Sequence, residues 1–198
     1  MITFLNDSSE KPFIILKQKY LEAVSAKQRL VEAISIASFS SNTSEVDTRF
    51  VNLKFVDGNQ FIFFTNYKSP KSIQFESHNQ IAVSLYWQST NTQIRMKAHI
   101  KKTSKEFNNN YFLNRSKEKN ALAISSNQSE PIGSYQDVKD QFDKSLKHDN
   151  LSECPDYWGG YSFTPYYFEF WEGHESRLNK RNVYEIDNND WSHFISQP

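Results

Sequence analysis

Residues 157–181 bring aromatic rings and cations together over a short stretch of chain. The segment reads Tyr-Trp-Gly-Gly-Tyr-Ser-Phe-Thr-Pro-Tyr-Tyr-Phe-Glu-Phe-Trp-Glu-Gly-His-Glu-Ser-Arg-Leu-Asn-Lys-Arg. Aromatic faces can stack on a flat heteroaromatic ring, and arginine can hold an anionic group through its fork of N–H donors. Residue types alone favour a plainer interpretation, a buried aromatic hairpin with solvated arginines. The sharper hypothesis is a site for a phosphorylated ring compound.

Further cations stand beside apolar segments elsewhere in the chain. Arg49 and Lys54 bracket a strand-like run, and Lys71 follows a Ser-Pro pair that is typical of a helix start. Such a start leaves backbone N–H groups free for a phosphate. Tyr111 and Arg115 are four residues apart, a spacing that would place both on one face of a helix. Each signal is weak alone, because most helix starts and surface arginines bind no ligand.

Composition excludes several other kinds of site. The chain has 23 Lys and Arg against 23 Asp and Glu, so no overall field attracts nucleic acid or acidic lipid. Its one cysteine rules out an internal disulfide, and its five histidines have no metal-binding spacing, so we predict no metal. No apolar run approaches the ~20 residues that cross a bilayer, and no leader pattern opens the sequence. We therefore expect a reduced, cytoplasmic protein without nucleic-acid or membrane partners.

Apolar periodicity predicts a mainly β chain with several helices. Leu16, Tyr20, Ala23 and Val24 indicate a helix of about four turns from Pro12, and further helices are expected at 70–78, 104–126 and 134–146. Strands are predicted at 33–40, 49–56, 60–65, 81–87, 92–102, 161–172, 177–186 and 190–195, with a hairpin turn at 57–59.

The order of these elements predicts the fold class. Short gaps between neighbouring strands favour an α+β protein built on an antiparallel, closed or half-closed barrel over a parallel doubly wound sheet. Residues 12–198 would form one domain, because 198 residues need no second core. Residues 1–11 are polar and without periodicity, so we predict a flexible N-terminal arm.

The order of the motifs resembles one known family. Trp-Gly-Gly-Tyr at 158–161, Glu-Phe-Trp-Glu-Gly at 169–173 and Arg-Leu-x-x-Arg at 177–181 resemble the C-terminal signature of the pyridoxamine 5′-phosphate oxidases. The likeness runs from about Pro12 to Pro198. It implies an antiparallel split β-barrel of the FMN-binding type and a homodimer with FMN at the subunit interface. The implied reaction is oxidation of pyridoxamine or pyridoxine 5′-phosphate to pyridoxal 5′-phosphate, with oxygen as acceptor and hydrogen peroxide as product.

The resemblance also assigns site residues, motif by motif. The expected FMN-binding residues are Arg49, Phe50, Val51, Asn52, Leu53, Phe64, Thr65, Ser69, Lys71, Gln93, Gln128, Ser129, Trp171 and Arg181. The Gln128-Ser129 pair is expected to reach the flavin of the neighbouring subunit. The expected substrate-binding residues are Lys54, Tyr111, Arg115, Lys119, Arg177 and Asn179. Arg177 is also the expected catalytic residue, since it matches the arginine that packs over the substrate ring.

Four positions depart from the family pattern, and they surround the substrate more than the flavin. Pro70 replaces an arginine, Lys119 a phosphate-binding serine, Asn179 a histidine and Lys180 an aspartate. Two alternatives therefore stay open. One is a flavin oxidase of the same fold acting on another aromatic compound, such as a phenazine precursor. The other is a protein that binds FMN or pyridoxal phosphate without catalysis.

Overall fold

The computed structural model describes residues 1–198, which form ten strands and five helices. The strands are β1 (Thr3–Asn6), β2 (Ala33–Ser40), β3 (Glu45–Asn52), β4 (Phe55–Asp57), β5 (Gln60–Asn66), β6 (Gln80–Trp87), β7 (Thr92–Lys102), β8 (Trp158–Glu172), β9 (Lys180–Asp187) and β10 (Asp190–Ile195). The helices are α1 (Lys11–Ser25), α2 (Pro70–Ser77), α3 (Lys105–Leu113), α4 (Lys117–Ser125) and α5 (Tyr135–His148). No helix is long and apolar enough to cross a membrane.

One long strand, β8, organises the sheet. Strand β7 pairs with it along one edge, while β5 and β9 pair with its first and last parts on the other. The sheet continues from β7 through β6 and β2 to β3, and from β5 through β4 to β1. Every pairing is antiparallel except that of β1 with β4. The predicted α+β class with an antiparallel sheet is confirmed.

The two ends of the sheet meet where β3 passes into β4. The Leu53 N–H donates to Glu32 O at 2.9 Å, and the Lys54 N–H donates to Ile62 O at 2.8 Å. The prediction of one strand over 49–56 is therefore wrong. The chain leaves β3, which pairs with β2, and joins β5 through β4, with Leu53 buried at the change of partner. Periodicity does not reveal this change, because apolar residues continue across it.

Aromatic side chains fill the interior of the barrel. Phe61 stacks on Phe163 at 5.2 Å between ring centroids, and Phe13 of α1 meets Phe168 edge-on at 5.1 Å. All four rings are buried, and full burial of one such side chain contributes about 2–3 kcal/mol. The core thus joins α1 to β5 and β8, and it holds rigid the strands that border the site.

The N-terminal residues are more ordered than predicted. Residues 1–11 were expected to be a flexible arm, but Thr3–Asn6 pair with β4 and Ile2 is buried. The Ile2 N–H donates to the Tyr20 hydroxyl at 3.0 Å, which ties the segment to α1. A strand of four residues on the sheet edge needs little apolar patterning, which explains why its sequence gave no signal.

The helical region after β7 differs from the prediction in two respects. The chain breaks between α3 and α4, so Arg115 lies in the connection and shares no helix with Tyr111. In α5, Tyr135, Val138, Phe142 and Leu146 recur at helical spacing and predict a core-facing stripe. The structure leaves Val138, Phe142 and Leu146 only half-buried and Tyr135 74% exposed. This helix packs mainly on α4, which leaves part of the stripe uncovered.

Candidate functional site

A cleft of about 630 Å³ opens beside β3 and β5, close to the place where the sheet ends meet. Its volume lies in the range of ordinary ligand sites. The predicted site residues that line it are Arg49, Phe50, Val51, Asn52, Lys54, Phe64, Thr65, Lys71, Tyr111, Arg115, Lys119, Gln128 and Ser129. Two predicted residues, Leu53 and Ser69, are buried behind this surface. Distant parts of the chain therefore converge as the sequence hypothesis required.

The N-terminus of α2 forms one end of the cleft. Lys71, in the first turn, is only 7% exposed, and its Nζ lies 3.0 Å from Ser69 Oγ and 3.2 Å from Gln128 Oε1. No carboxylate pairs with it. Burial, with a smaller contribution from the charge of Arg49, lowers the pKa of Lys71 to about 8. A desolvated cation beside free helix N–H groups is suited to an anion.

Ser69 does not cap this helix through its side chain as predicted. Its hydroxyl donates instead to Asn66 O at 2.8 Å. Pro70 occupies the first helical position, where its fixed φ and missing N–H suit a helix start.

Arg49 stands at the same end of the cleft, held by side chains from three elements. Its Nη2 donates to Asp47 Oδ2 at 2.6 Å and to Gln74 Oε1 at 3.1 Å. Its Nη1 donates to the buried Ser38 hydroxyl. These contacts fix the direction of the guanidinium before any ligand arrives.

A second group of cations, Lys54, Arg115 and Lys119, lines another part of the cleft. The Arg115 guanidinium lies over the Trp158 ring at 4.3 Å, its Nη2 donates to Lys119 O at 3.2 Å, and its Nη1 is buried without a hydrogen-bond partner. Burial lowers the pKa of Arg115. Because an unsatisfied buried donor is costly, this group is suited to an anionic ligand.

The pKa of Lys54 is also below its ordinary value. Burial is the largest cause, and the charges of Lys119 and Arg115 add to it against the attraction of Glu32. An anion bound beside these three cations would favour their charged forms.

Aromatic rings form a wall between strand and helix. Phe64 stacks on Tyr111 with ring centroids 3.8 Å apart and on Trp158 at 5.3 Å. Burial raises the pKa of Tyr111, so its hydroxyl keeps its proton and can donate a hydrogen bond. Trp158 was not among the predicted site residues, although it begins the Trp-Gly-Gly-Tyr motif that signalled the site.

The two glycines of that motif allow α3 to approach β8. A Cβ on Gly159 would collide with the Tyr67 hydroxyl and the Asn108 amide, and one on Gly160 would lie 2.6 Å from Thr103 Oγ1. The Gly160 N–H donates to Asn108 Oδ1 at 2.8 Å, and Tyr67 donates to Gly160 O at 3.0 Å. Asn108 is one turn before Tyr111, so this network positions the aromatic wall.

The remaining predicted residues lie elsewhere, on the last part of β8 and its neighbours. Trp171 is paired with Gln93 of β7 and with Arg181 of β9. None of the three lines the cleft. Thirteen residues separate Trp171 from Trp158, which corresponds to roughly 40 Å of strand.

The turn that follows β8 carries the other two predicted substrate residues. Arg177 is exposed, and its backbone is in the left-handed region with φ 60°. The strand predicted over 177–186 begins only at Lys180. Asn179 Oδ1 accepts a hydrogen bond from the His174 N–H at 3.1 Å. In this chain Asn179 therefore closes the turn.

Gln128 and Ser129 line the cleft of their own chain. That they reach the flavin of a neighbouring subunit stays a prediction. The Gln128 Oε1 accepts from Thr65 Oγ1 at 3.0 Å. No group of three His, Cys, Asp or Glu side chains is placed to hold a metal ion.

Comparison with known proteins gives relatives over almost the full length. A family model described as the pyridoxine 5′-phosphate oxidase C-terminal dimerisation region matches residues 158–198. The chain is 30% identical to a pyridoxine/pyridoxamine 5′-phosphate oxidase of Leptospira interrogans, covering 98% of this chain and 92% of that protein. It is 34% identical to pyridoxine/pyridoxamine 5′-phosphate oxidase 1 of Hydrogenovibrio crunogenus, covering 93% and 86%.

Solved structures give the same fold. PhzG from Burkholderia lata, determined with tetrahydrophenazine-1-carboxylic acid, matches with a TM-score of 0.90 and 26% identity over 97% of this chain and 95% of that one. An FMN-binding protein of Nostoc punctiforme, related to the same oxidases, matches with a TM-score of 0.79 and 15% identity over 96% and 99%. These likenesses confirm the predicted split-barrel fold.

Proposed function

The chain belongs to the pyridoxine/pyridoxamine 5′-phosphate oxidase family, and on that premise we propose that it is an FMN-dependent oxidase of phosphorylated B6 vitamers. The observation that carries the proposal is the set of desolvated cations in the cleft, among them Arg115 with an unpaired buried N–H. Desolvated cations favour an anionic ligand, and the adjoining aromatic rings can stack on a flat one.

Two groups of cations allow two anions. We assign Arg49 and Lys71, at the start of α2, to the phosphate of FMN. Lys54, Tyr111, Arg115 and Lys119 would hold the phosphate of the substrate. Arg115 is already oriented by Trp158 beneath it, so little side-chain entropy is lost on binding. Lys119 would add a point charge where a serine is the usual family residue.

Bound FMN would supply the redox chemistry, taking a hydride from the substrate carbon that bears the amine or hydroxyl and passing the electrons to oxygen. The residues of the chain would bind and orient the substrate, and orientation alone can lower a barrier by several kcal/mol. Arg177 would pack over the substrate ring, and Gln93, Trp171 and Arg181 would contact the flavin.

These last residues are far from the cleft of their own chain, so the proposal requires a homodimer. The strand that borders the cleft, β3, has no neighbour on its outer edge and exposes Val46 and Phe50 by 72% and 75%. Exposed apolar residues on a free strand edge favour association with another chain. A second copy would bring its β7–β9 group to this cleft and complete the site.

A second candidate is oxidation of another aromatic acid, favoured by the likeness to PhzG and by Asn179, which replaces the family histidine. Turnover separates the two. The purified protein should be yellow, and with pyridoxamine 5′-phosphate it should release hydrogen peroxide and form pyridoxal 5′-phosphate. Peroxide with tetrahydrophenazine-1-carboxylic acid alone would support the second candidate. Tight FMN binding without turnover of either would contradict both.

A further inference from the structure

Glu169 is a carboxylate buried in the middle of an aromatic strand. It is 2% exposed, in the run Tyr-Tyr-Phe-Glu-Phe-Trp of β8. Its Oε1 accepts from Arg181 Nε at 2.9 Å, while its Oε2 accepts from Arg95 Nη1 at 3.1 Å and from the Tyr167 hydroxyl at 3.2 Å. Both oxygens are therefore occupied by groups from three different strands.

The carboxylate stays charged in this environment. Burial by itself raises the pKa of Glu169, but the hydrogen bond and charge of Arg181 and the charge of Arg95 outweigh burial and leave the pKa below its ordinary value. A charge buried at this depth is tolerated only when its partners are held in good geometry.

The position of Glu169 relates it to the residues assigned to flavin. Arg95 is its direct neighbour across β7, and Gln93 and Trp171 follow two residues further along their strands, on the same face of the sheet. Arg181 is paired with Trp171. An arginine held through Nε by a buried acceptor has the plane of its guanidinium fixed, with fewer rotamers open to it.

We propose that Glu169 is a positioning residue, which orients Arg181 for the flavin while touching neither flavin nor substrate. The inference rests on the proposed function, because it assumes that Arg181 contacts FMN. Nη1 of Arg181 also donates to Gln197 O at 2.8 Å, so the C-terminal residues hold the same guanidinium from another side.

A double-mutant cycle on FMN affinity tests the proposal. Glu169→Gln should weaken FMN binding about tenfold in the wild-type background. If this effect is lost without Arg181, the coupling between the two residues lies within the range known for contacting residues. In an Arg181→Gln background the same change should have no further effect on FMN affinity. Equal loss in both backgrounds, or no loss in either, would overturn the proposal. If Glu169→Gln does not fold, Glu169→Asp, which keeps the charge but shortens the reach, enters the same cycle with the same two outcomes.

Glu172→Gln is the matched control on the same strand. Glu172 pairs with Lys19 at 3.0 Å, whereas the acceptor of Arg181 Nε is Glu169, so loss of the Glu172 charge should leave FMN affinity unchanged. Thermal unfolding of all FMN-free variants separates a merely structural role, which would lower the melting temperature without coupling to Arg181. Failure of the wild-type protein to bind FMN would reject the proposed function itself, before the cycle is begun.

Discussion

The cleft and the far half of β8 both contain cations, but these cations differ in whether a buried carboxylate pairs with them. In the cleft, Lys71 and Arg115 are desolvated without a carboxylate partner. On the far half of β8, Arg95 and Arg181 share the buried carboxylate of Glu169. An unpaired buried cation stores binding energy for an anion, whereas a paired one is oriented but largely neutralised. We therefore expect the first region to bind phosphates and the second to direct side chains toward a ligand bound elsewhere.

The largest expected effect comes from removing the unpaired arginine. Arg115→Ala should raise KM for pyridoxamine 5′-phosphate by about 10- to 100-fold, the value of a charge-assisted hydrogen bond, and should leave FMN bound. Steady-state kinetics and flavin fluorescence titration measure the two quantities. An unchanged KM would show that Arg115 does not bind the substrate. The unpaired cation would then not distinguish the cleft from the far half of β8.

The glycine network distinguishes the two regions, because it positions the aromatic wall of the cleft and does not include the cations on the far half of β8. Gly159→Ala should destabilise the protein by about 1–3 kcal/mol, since the new methyl group meets Tyr67 and Asn108. It should also raise the substrate KM by displacing Tyr111. Gly133→Ala is the control, because its methyl group would meet only the flexible end of Asp137. Denaturant unfolding checks both variants, and equal stability of the two would refute the network's role.

The low pKa of Lys71 predicts a pH dependence of FMN binding. Lys71 loses its proton near pH 8 in the free protein, so FMN affinity should fall about tenfold between pH 7 and pH 9. Fluorescence titration measures it, and Lys71→Met should flatten the profile. A wild-type affinity independent of pH over this range would contradict the assignment of Lys71 to the phosphate.

The lowered pKa of Lys71 should also make the free energy of unfolding depend on pH. Unfolded Lys71 keeps its proton to about pH 10.5, so between pH 8 and that value the unfolded state binds more protons. The free energy of unfolding of the FMN-free protein should therefore gain a contribution from this group as pH rises from 8. Denaturant unfolding at about pH 8 and about pH 10.5 measures this pH-dependent contribution, and the variant Lys71→Met should lack it.

The smallest expected effect concerns a residue that is unusual for the family. Lys119 is exposed, so its charge acts through solvent. Lys119→Ser should raise the substrate KM only about threefold at low salt, and the difference should shrink as ionic strength increases. An effect as large as that of Arg115→Ala would show a direct contact with the phosphate.

The strands and the motif residues around the cleft could be predicted from sequence, because alternation and short gaps specify antiparallel strands locally. Long-range pairing could not. The change of partner at Leu53 depends on distant residues, because the Leu53 N–H donates to Glu32 O, just before β2, and the Lys54 N–H donates to Ile62 O of β5. The connection that holds Arg115 depends on a break between two helical segments of similar composition. Sequence also gave no sign that the motif residues divide into two regions. Glu169 was missed, although a lone acid within an aromatic strand is itself an unusual pattern.

Mixed dimers show whether one site is assembled from two copies of the chain. One chain would carry Arg115→Ala in the cleft and the other Arg177→Ala in the turn, with two different affinity tags to isolate the mixed dimer. If each site combines the cleft of one copy with the turn of the other, one of the two sites contains neither substitution. We expect the mixed dimer to have half the turnover of a wild-type dimer, while both parent dimers are impaired. A mixed dimer no more active than its parents would show that each chain completes its own site, and the shared site would be ruled out.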